Sequence, residues 1–264
     1  MSHLKDKVVI ITGASRNIGF AVATSLVARG AKVALLGRDQ GQLDKAAAEL
    51  GPAAKGFAVD IASHGDVKRC FAAVEVAFGR IDALVNNAGL AVAGRVEELK
   101  PEDVVAQVNV NYVAVVYACQ LIIPHLRRAG GGRIVNISSA SVHHTDEFTF
   151  LSIYSSTKAG MERFTEDLRD EVRGDNIGVT YFIPGGTMTG FGSDWDPAVS
   201  AAAFADWIER SGPYCNGWLP LQPVAEQIAA CMDLPAGMAY DFLELRAFGK
   251  VRKLMEEDAK GTAS

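Results

Sequence analysis

Tyr154 and Lys158 stand four residues apart in YSSTK, the spacing that puts two side chains on one face of a helix. A free phenol keeps its proton to about pH 10, so acid–base work near neutrality needs that value lowered by about 3 units, roughly 4 kcal/mol. A neighbouring ammonium stabilises the phenolate and acts in the required direction. Taken alone, such a pair occurs often by chance and usually marks a solvated helix face.

Two other stretches give the pair something to act beside. TGASRNIG at 12–19 lies between an aliphatic run and a helical stretch, with Gly13 and Gly19 six apart rather than in a GxGxxG pattern. Small residues there let backbone N–H groups approach a pyrophosphate at the positive end of a helix beginning near Ile18. A site for NAD places an acidic residue at the end of the second strand, where it accepts from the ribose 2′-hydroxyl. Here that place reads Gly37-Arg38. Arg38, joined by Arg16 from the first turn, could clamp a 2′-phosphate through forked, charge-assisted hydrogen bonds, so NADP(H) is expected over NAD(H). Asp39 either pairs with Arg38 or faces solvent.

The elements that must position these residues alternate in type. The run Val8–Ile11 is followed by a helix to Arg29. Next come VALLG at 33–37, a helix over 40–50, GFAVD at 56–60, a helix over 63–78 and ALVNN at 83–87. A long helix over 101–128, RIVNIS at 133–138, a helix over 153–173 and VTYFI at 179–183 continue the pattern. This predicts an α/β fold: a doubly wound parallel sheet with helices on both faces, as three layers. A helix over 222–232 and an edge strand DFLEL at 241–245 complete it. The stretch 185–222, rich in aromatics and interrupted by Gly and Pro, reads as an irregular substrate lid, with Phe191 and Trp195 as candidate substrate contacts. The tail, 247–264, reads as a frayed helix or a subunit contact.

The 264 residues carry 26 Lys+Arg against 31 Asp+Glu, a net charge of −5, and are 49% apolar. Without a basic stretch a nucleic-acid partner is not expected. No internal repeat or linker divides the chain, so one domain over 1–264 is expected. Cys70, Cys119, Cys215 and Cys231 are widely spaced and read as reduced, mostly buried thiols. The most apolar window, 112–126, is broken by Gln120, Pro124 and His125, and the N-terminus lacks a leader pattern. A cytoplasmic protein without a membrane partner is the resulting expectation. His143, His144, Asp146 and Glu147 cluster in one polar loop without a ligand from a third element; they read as the rim of a substrate entrance, with no metal.

TGASRNIG, Asp60 after the third strand, NNAG at 86–89, Asn111 in VNVNYVAV, NISS at 136–139, YSSTK and PGGTMT at 184–189 follow one another in this order. Over residues 5–245 the chain thereby resembles the short-chain dehydrogenases/reductases. The resemblance implies a Rossmann-type sheet of about seven strands. It implies hydride transfer between a nicotinamide cofactor and a small-molecule carbonyl or alcohol, in a homodimer or homotetramer formed through the helices at 101–128 and 153–173. Tyr154 becomes the proton donor and acceptor, Lys158 lowers its pKa and holds the nicotinamide ribose, and Ser139 bonds the substrate oxygen. Asn111 would hold a water linking Lys158 to solvent, while Asn109 becomes an ordinary helix residue. The same resemblance places Gly13, Ser15, Arg16, Asn17, Ile18 and Gly19 under the pyrophosphate and Arg38 at the adenosine phosphate. Asp60 and Ile61 would flank adenine, Asn87, Ala88 and Gly89 the ribose, and Pro184, Gly185, Thr187 and Thr189 the nicotinamide.

Several features depart from the family pattern. Asn17 stands where a glycine is usual, and Asn is among the few residues that tolerate positive φ. DFLELR replaces the usual final-strand signature. Ser139 lies 15 residues before Tyr154 and Ser141 lies 13 before it, the latter matching the family's usual separation. Ser139 is favoured because the strand fixes it and the loop 143–147 can absorb two extra residues; Ser141 remains the alternative or a second substrate contact, as does His144. The substrate could equally be a 3-oxoacyl thioester, and a catalytically silent NADP-binding regulator of the same fold is the alternative from another class.

Overall fold

All five residues of Val8–Thr12 are buried, which places this aliphatic run in the middle of a sheet covered on both faces. The computed structural model describes residues 2–145, 147–210, 214–215, 218–247 and 251–252. Among them the strands are β1 (Val8–Thr12), β2 (Lys32–Gly37), β3 (Ala54–Ala58), β4 (Ala83–Asn86), β5 (Gly132–Ile137) and β6 (Ile177–Pro184). They are followed by β7 (Tyr214–Cys215), β8 (Phe242–Leu245) and β9 (Val251–Arg252). Seven form one parallel sheet in the order β3-β2-β1-β4-β5-β6-β8, and β7 and β9 pair antiparallel beside it.

The helices are α1 (Asn17–Ala28), α2 (Gln40–Leu50), α3 (His64–Phe78), α4 (Pro101–Val108), α5 (Ala114–Arg128), α6 (Ser152–Val172), α7 (Pro197–Arg210) and α8 (Leu221–Met232). Strand side chains alternate between two cores. Val9, Ile11, Val33, Leu35 and Val85 pack against α1, α2 and α8, while Val8, Ile10, Leu36 and Leu84 pack against α3, α5 and α6. This is the expected three-layer, doubly wound Rossmann-type sheet. Its order reverses between β1 and β4, so the crevice for a ligand opens at their carboxyl ends.

Three elements differ from the reading of the sequence. β3 begins at Ala54, because Val33 pairs with Ala54 and Gly37 with Ala58, leaving Val59 and Asp60 to turn off the sheet toward the crevice. The run 101–128 is interrupted: Asn109–Val113 forms a π turn, so Asn109 opens that turn instead of continuing a regular helix. Taken whole, Pro101–Arg128 is long and apolar enough to cross a membrane, but α5 packs on α3 and the π turn on α6. The third difference is α7, which occupies the stretch expected to be irregular. Pro197 is a helix start there, since the Asp196 carboxylate accepts from the N–H groups of Ala198 (2.8 Å) and Val199 (3.3 Å). Most of the 247–264 tail, and Asp146, lie outside the described residues.

Cys70, Cys119 and Cys231 are free and buried, and burial pushes their thiols up to about 12, 12 and 11. They are inert packing groups at neutral pH.

Candidate active site

The turn between β1 and α1 is tied to the end of β4. Thr12 Oγ1 accepts from the backbone N–H groups of Asn87 and Ala88, both at 3.0 Å, and Asn87 Nδ2 donates to the carbonyls of Thr12 (3.0 Å) and Gly13 (3.1 Å). Asn87 therefore braces the glycine turn directly. Gly13 has φ 64°, and a β-carbon at Gly19 would fall 2.3 Å from the Gly13 carbonyl oxygen, so Gly19 has no substitute in this backbone. Asn17 has φ 52°, the left-handed conformation that its residue type tolerates. Ser15 and Ile18 are half-buried and Arg16 exposed around the start of α1, where first-turn N–H groups lack helix partners.

Tyr154 and Lys158 are both buried on α6, with Lys158 Nζ 5.9 Å from the centre of the Tyr154 ring. Lys158 Nζ donates to the Ile137 carbonyl at 2.7 Å. Burial pushes the Tyr154 phenol up to about 12, opposed by a hydrogen bond with the Ser139 hydroxyl. Burial also pulls the Lys158 ammonium down to about 8, opposed by the charge of Glu162. In the protein alone desolvation wins, and Tyr154 holds its proton at neutral pH.

Ser139 follows β5 directly and its Oγ accepts from the Ser141 N–H at 3.2 Å. Its hydroxyl lies 3.0 Å from that of Ser141, which in turn accepts from Ser155 Oγ at 2.9 Å. Both serines belong to one hydroxyl chain, with Ser139 at the end that meets Tyr154. Downstream the loop includes Phe150 at φ 62°, whose carbonyl accepts from Gly94 N–H at 3.0 Å.

Asn111 sits in the π turn, fully buried, and clasps the Leu90 backbone: its Oδ1 accepts from Leu90 N–H (2.8 Å) and its Nδ2 donates to Leu90 O (2.7 Å) and Thr157 Oγ1 (3.1 Å). Both amide hydrogens are therefore used, and a water could meet this side chain only at the second lone pair of Oδ1. A β-carbon at Gly89 would lie 3.5 Å from Asn111 Oδ1 and 3.7 Å from Lys158 Nζ. Glycine there keeps space open beside the ammonium.

On the other side of the crevice, an open hollow of about 470 Å³ is lined by Arg38, Ala58, Val59, Asp60 and Asp66. Asp39 faces solvent, as one of its two expected readings had it, and caps α2 from there, its Oδ1 accepting from Gln42 N–H at 3.1 Å. Asp60 Oδ1 accepts from Ala62 N–H at 3.0 Å, while Ile61 and Ala88 line a separate, much smaller cavity with Thr12, Leu36 and Asn86. Arg16 and Arg38 are exposed and form no ion pair among the described residues. The donor set fits a dinucleotide: a glycine cradle, a helix start and a hollow, with two guanidinium groups nearby.

Beyond β6, the Gly185 N–H donates to Leu245 O (2.8 Å) and Thr187 Oγ1 to Gly185 O (2.9 Å), which ties the segment after Pro184 to the end of β8. Thr189 Oγ1 accepts from Phe191 N–H at 3.2 Å. The Phe191 ring stands 5.6 Å from that of Tyr154 and 5.2 Å from Trp195, and Trp195 stands 6.1 Å from Trp207 on α7. Trp195 Nε1 donates to Ala91 O and Trp207 Nε1 to Thr149 O, at 2.8 and 2.9 Å. Phe191 thus neighbours the phenol directly, and Trp195 belongs to the apolar cluster that includes Tyr154.

His144 goes elsewhere. Its ring nitrogens meet Glu244 (2.6 Å) and Arg246 (2.6 Å), and Arg246 forks onto Glu147, so this loop is staked to the end of β8. His143 meets Glu162 instead, at 2.8 Å. Glu162 was not singled out from the sequence, although its place four residues after Lys158 on the same helix face was visible there.

The family model for short chain dehydrogenase matches residues 7–199. An uncharacterized oxidoreductase of Staphylococcus saprophyticus is 33% identical over 192 residues, covering 72% of this chain and 77% of that one. Among solved structures, a 3-ketoacyl-(acyl-carrier-protein) reductase from Brucella melitensis complexed with NADH superposes with a TM-score of 0.82 at 26% identity, covering 92% of this chain and 98% of that chain. An alcohol dehydrogenase from the archaeon Thermococcus sibiricus complexed with 5-hydroxy-NADP gives 0.78 at 26% identity, covering 94% and 99%.

Proposed function

The chain belongs to the short-chain dehydrogenase family, and from that premise we propose that it is an NADP(H)-dependent oxidoreductase interconverting a ketone and a secondary alcohol. One observation carries the reading: a buried phenol, hydrogen-bonded by Ser139, has the Lys158 ammonium one helical turn away on the same helix.

A bound nicotinamide supplies the hydride in reduction, accepts it in oxidation, and is positively charged when oxidised. The chain does the rest. Ser139 Oγ and Tyr154 Oη donate to the substrate carbonyl oxygen and stabilise the negative charge that grows on it. Tyr154 Oη, protonated at neutral pH by virtue of its burial, then delivers its proton to that oxygen. Lys158 Nζ, anchored on Ile137 O, stabilises the phenolate left behind and can bond the nicotinamide ribose.

The choice of NADP(H) is supported by the two uncommitted cations, Arg16 and Arg38, and by the use of Asp39 as a helix cap. The solved relatives named above hold NADH and an NADP derivative, so their ligands do not decide it. An uncharged, apolar substrate is supported by the lining around Tyr154: Ala91, Ala93, Phe148, Phe150, Trp195 and Trp207. We also propose a homodimer or homotetramer, in which the exposed Val105 and Val108 of α4 are covered by a second copy.

Tyr154→Phe tests the reading. NADPH consumption over a panel of ketones should fall by at least about a hundredfold, the usual contribution of a general acid, with NADPH binding unchanged. Full turnover in the variant would refute it. Tight binding without turnover in the native protein would favour the regulator, and activity confined to acyl thioesters the thioester reductase.

A further inference from the structure

Tyr154, Lys158 and Glu162 occupy successive turns of one face of α6, and the third is as buried as the first two. A carboxylate with 6% exposure, one turn beyond a buried lysine, loses most of its hydration and needs compensation. Its compensation is specific. Glu162 Oε1 accepts from Ser138 Oγ, and Oε2 meets His143 Nε2 at 2.8 Å. Ser138 is the residue after Ile137, whose carbonyl holds Lys158 Nζ, so both groups are anchored on adjacent residues at the end of β5. His143 is 40% exposed and connects the carboxylate to solvent.

We infer that Glu162, gripped by Ser138 and His143, is a positioning residue that keeps Lys158 charged in its dry site. The proposal rests on the catalytic reading of Lys158 given above. Without a nearby anion, nothing on α6 opposes the desolvation that pulls the ammonium down. The groups facing Glu162 are Lys158 and Glu166 on α6, His143 and Ser138 beyond β5, and Tyr181 on β6. Of these Lys158 is the buried amine, and His143 is an imidazole 40% exposed. Burial and Glu166 raise the Glu162 carboxyl, while Ser138 and His143 lower it. These two partners therefore set how much anion Lys158 sees.

The test is the titration of Lys158, followed by the 13Cε signal in lysine-labelled protein and assigned from its loss in Lys158→Met. In Glu162→Gln, which keeps the hydrogen bond with Ser138 but loses the charge, Lys158 should release its proton about one pH unit lower. Glu162→Asp should restore most of the shift. The alkaline limb of kcat/KM for ketone reduction should move down by a similar amount in Glu162→Gln, because the first proton lost by the Tyr154–Lys158 pair leaves more easily without the anion. If Glu162→Gln does not fold, His143→Ala, altered at the surface, should lower the same titration by a smaller amount. An unmoved Lys158 titration in the folded variant overturns the inference, even if activity falls evenly at every pH. A native protein that turns over no ketone overturns the functional reading instead, and the NMR titration still judges the role of Glu162.

Discussion

The ring of Phe191 stands 5.6 Å from that of Tyr154, tilted by 57°, and is itself 44% exposed. Its ring thus joins the phenol to the surface, which places it beside the approach to Tyr154 Oη. Phe191→Ala should raise KM for a small apolar ketone about tenfold, within the 1–3 kcal/mol that a hydrophobic contact gives to discrimination. A ketone larger by one phenyl group can fill the vacated volume and should lose less. Steady-state kinetics on a graded series checks this, and an equal loss across the series would mean that Phe191 does not border the substrate.

The neighbours of that ring also show which parts of the molecule the sequence could reveal. The strands were legible because burial on both faces demands near-continuous aliphatic runs, as in Val8–Ile11, and the two cores then follow from simple alternation. Tyr154, Lys158 and Ser139 were legible as motif residues with fixed local spacing. α7 was not, because Pro197 was taken as an interruption when, preceded by Asp196, it is a helix start. The π turn depends on Asn111 reaching the Leu90 backbone 21 residues away, and Glu162 acquires meaning only once Ser138 and His143 fold against it. Both are tertiary facts that no local pattern carries. The burial of Tyr154 is another such fact, since spacing shows the ammonium one turn away but not the desolvation that raises the phenol in the protein alone.

Arg38 lines the open hollow after β2 while its neighbour Asp39 is spent on the α2 cap. A hydrogen bond from a guanidinium to phosphate contributes about 1.5–3 kcal/mol, or roughly ten- to a hundredfold in affinity. Arg38→Ser should weaken NADPH by that factor and leave NADH nearly unchanged, and added salt should narrow the gap between the cofactors in the native protein. Titration by tryptophan fluorescence measures both. Equal weakening of the two cofactors would remove Arg38 from the 2′-phosphate.

Far from the crevice, Asp82 pins the start of the sheet. Its carboxylate, 5% exposed, accepts from Val8 N–H at 2.9 Å, from Lys7 Nζ at 3.2 Å and from the Arg80 guanidinium, with Arg80 Nε at 2.7 Å. Burial works to raise this carboxyl, but the hydrogen bonds from Arg80, Val8 and Lys7 together outweigh it and hold it below the usual range. A carboxyl whose folded pKa is depressed contributes stability that is complete above its unfolded value, about 3.9, and is lost as the pH falls through the folded value. Asp82→Asn should therefore cost about 2 kcal/mol at pH 7, the cost of leaving charged hydrogen bonds unmade. The difference between native and variant protein should shrink toward zero in acid, below pH of about 4. Urea unfolding at the two pH values measures it, and a penalty that stays the same in acid would show that Asp82 acts by shape and not by charge.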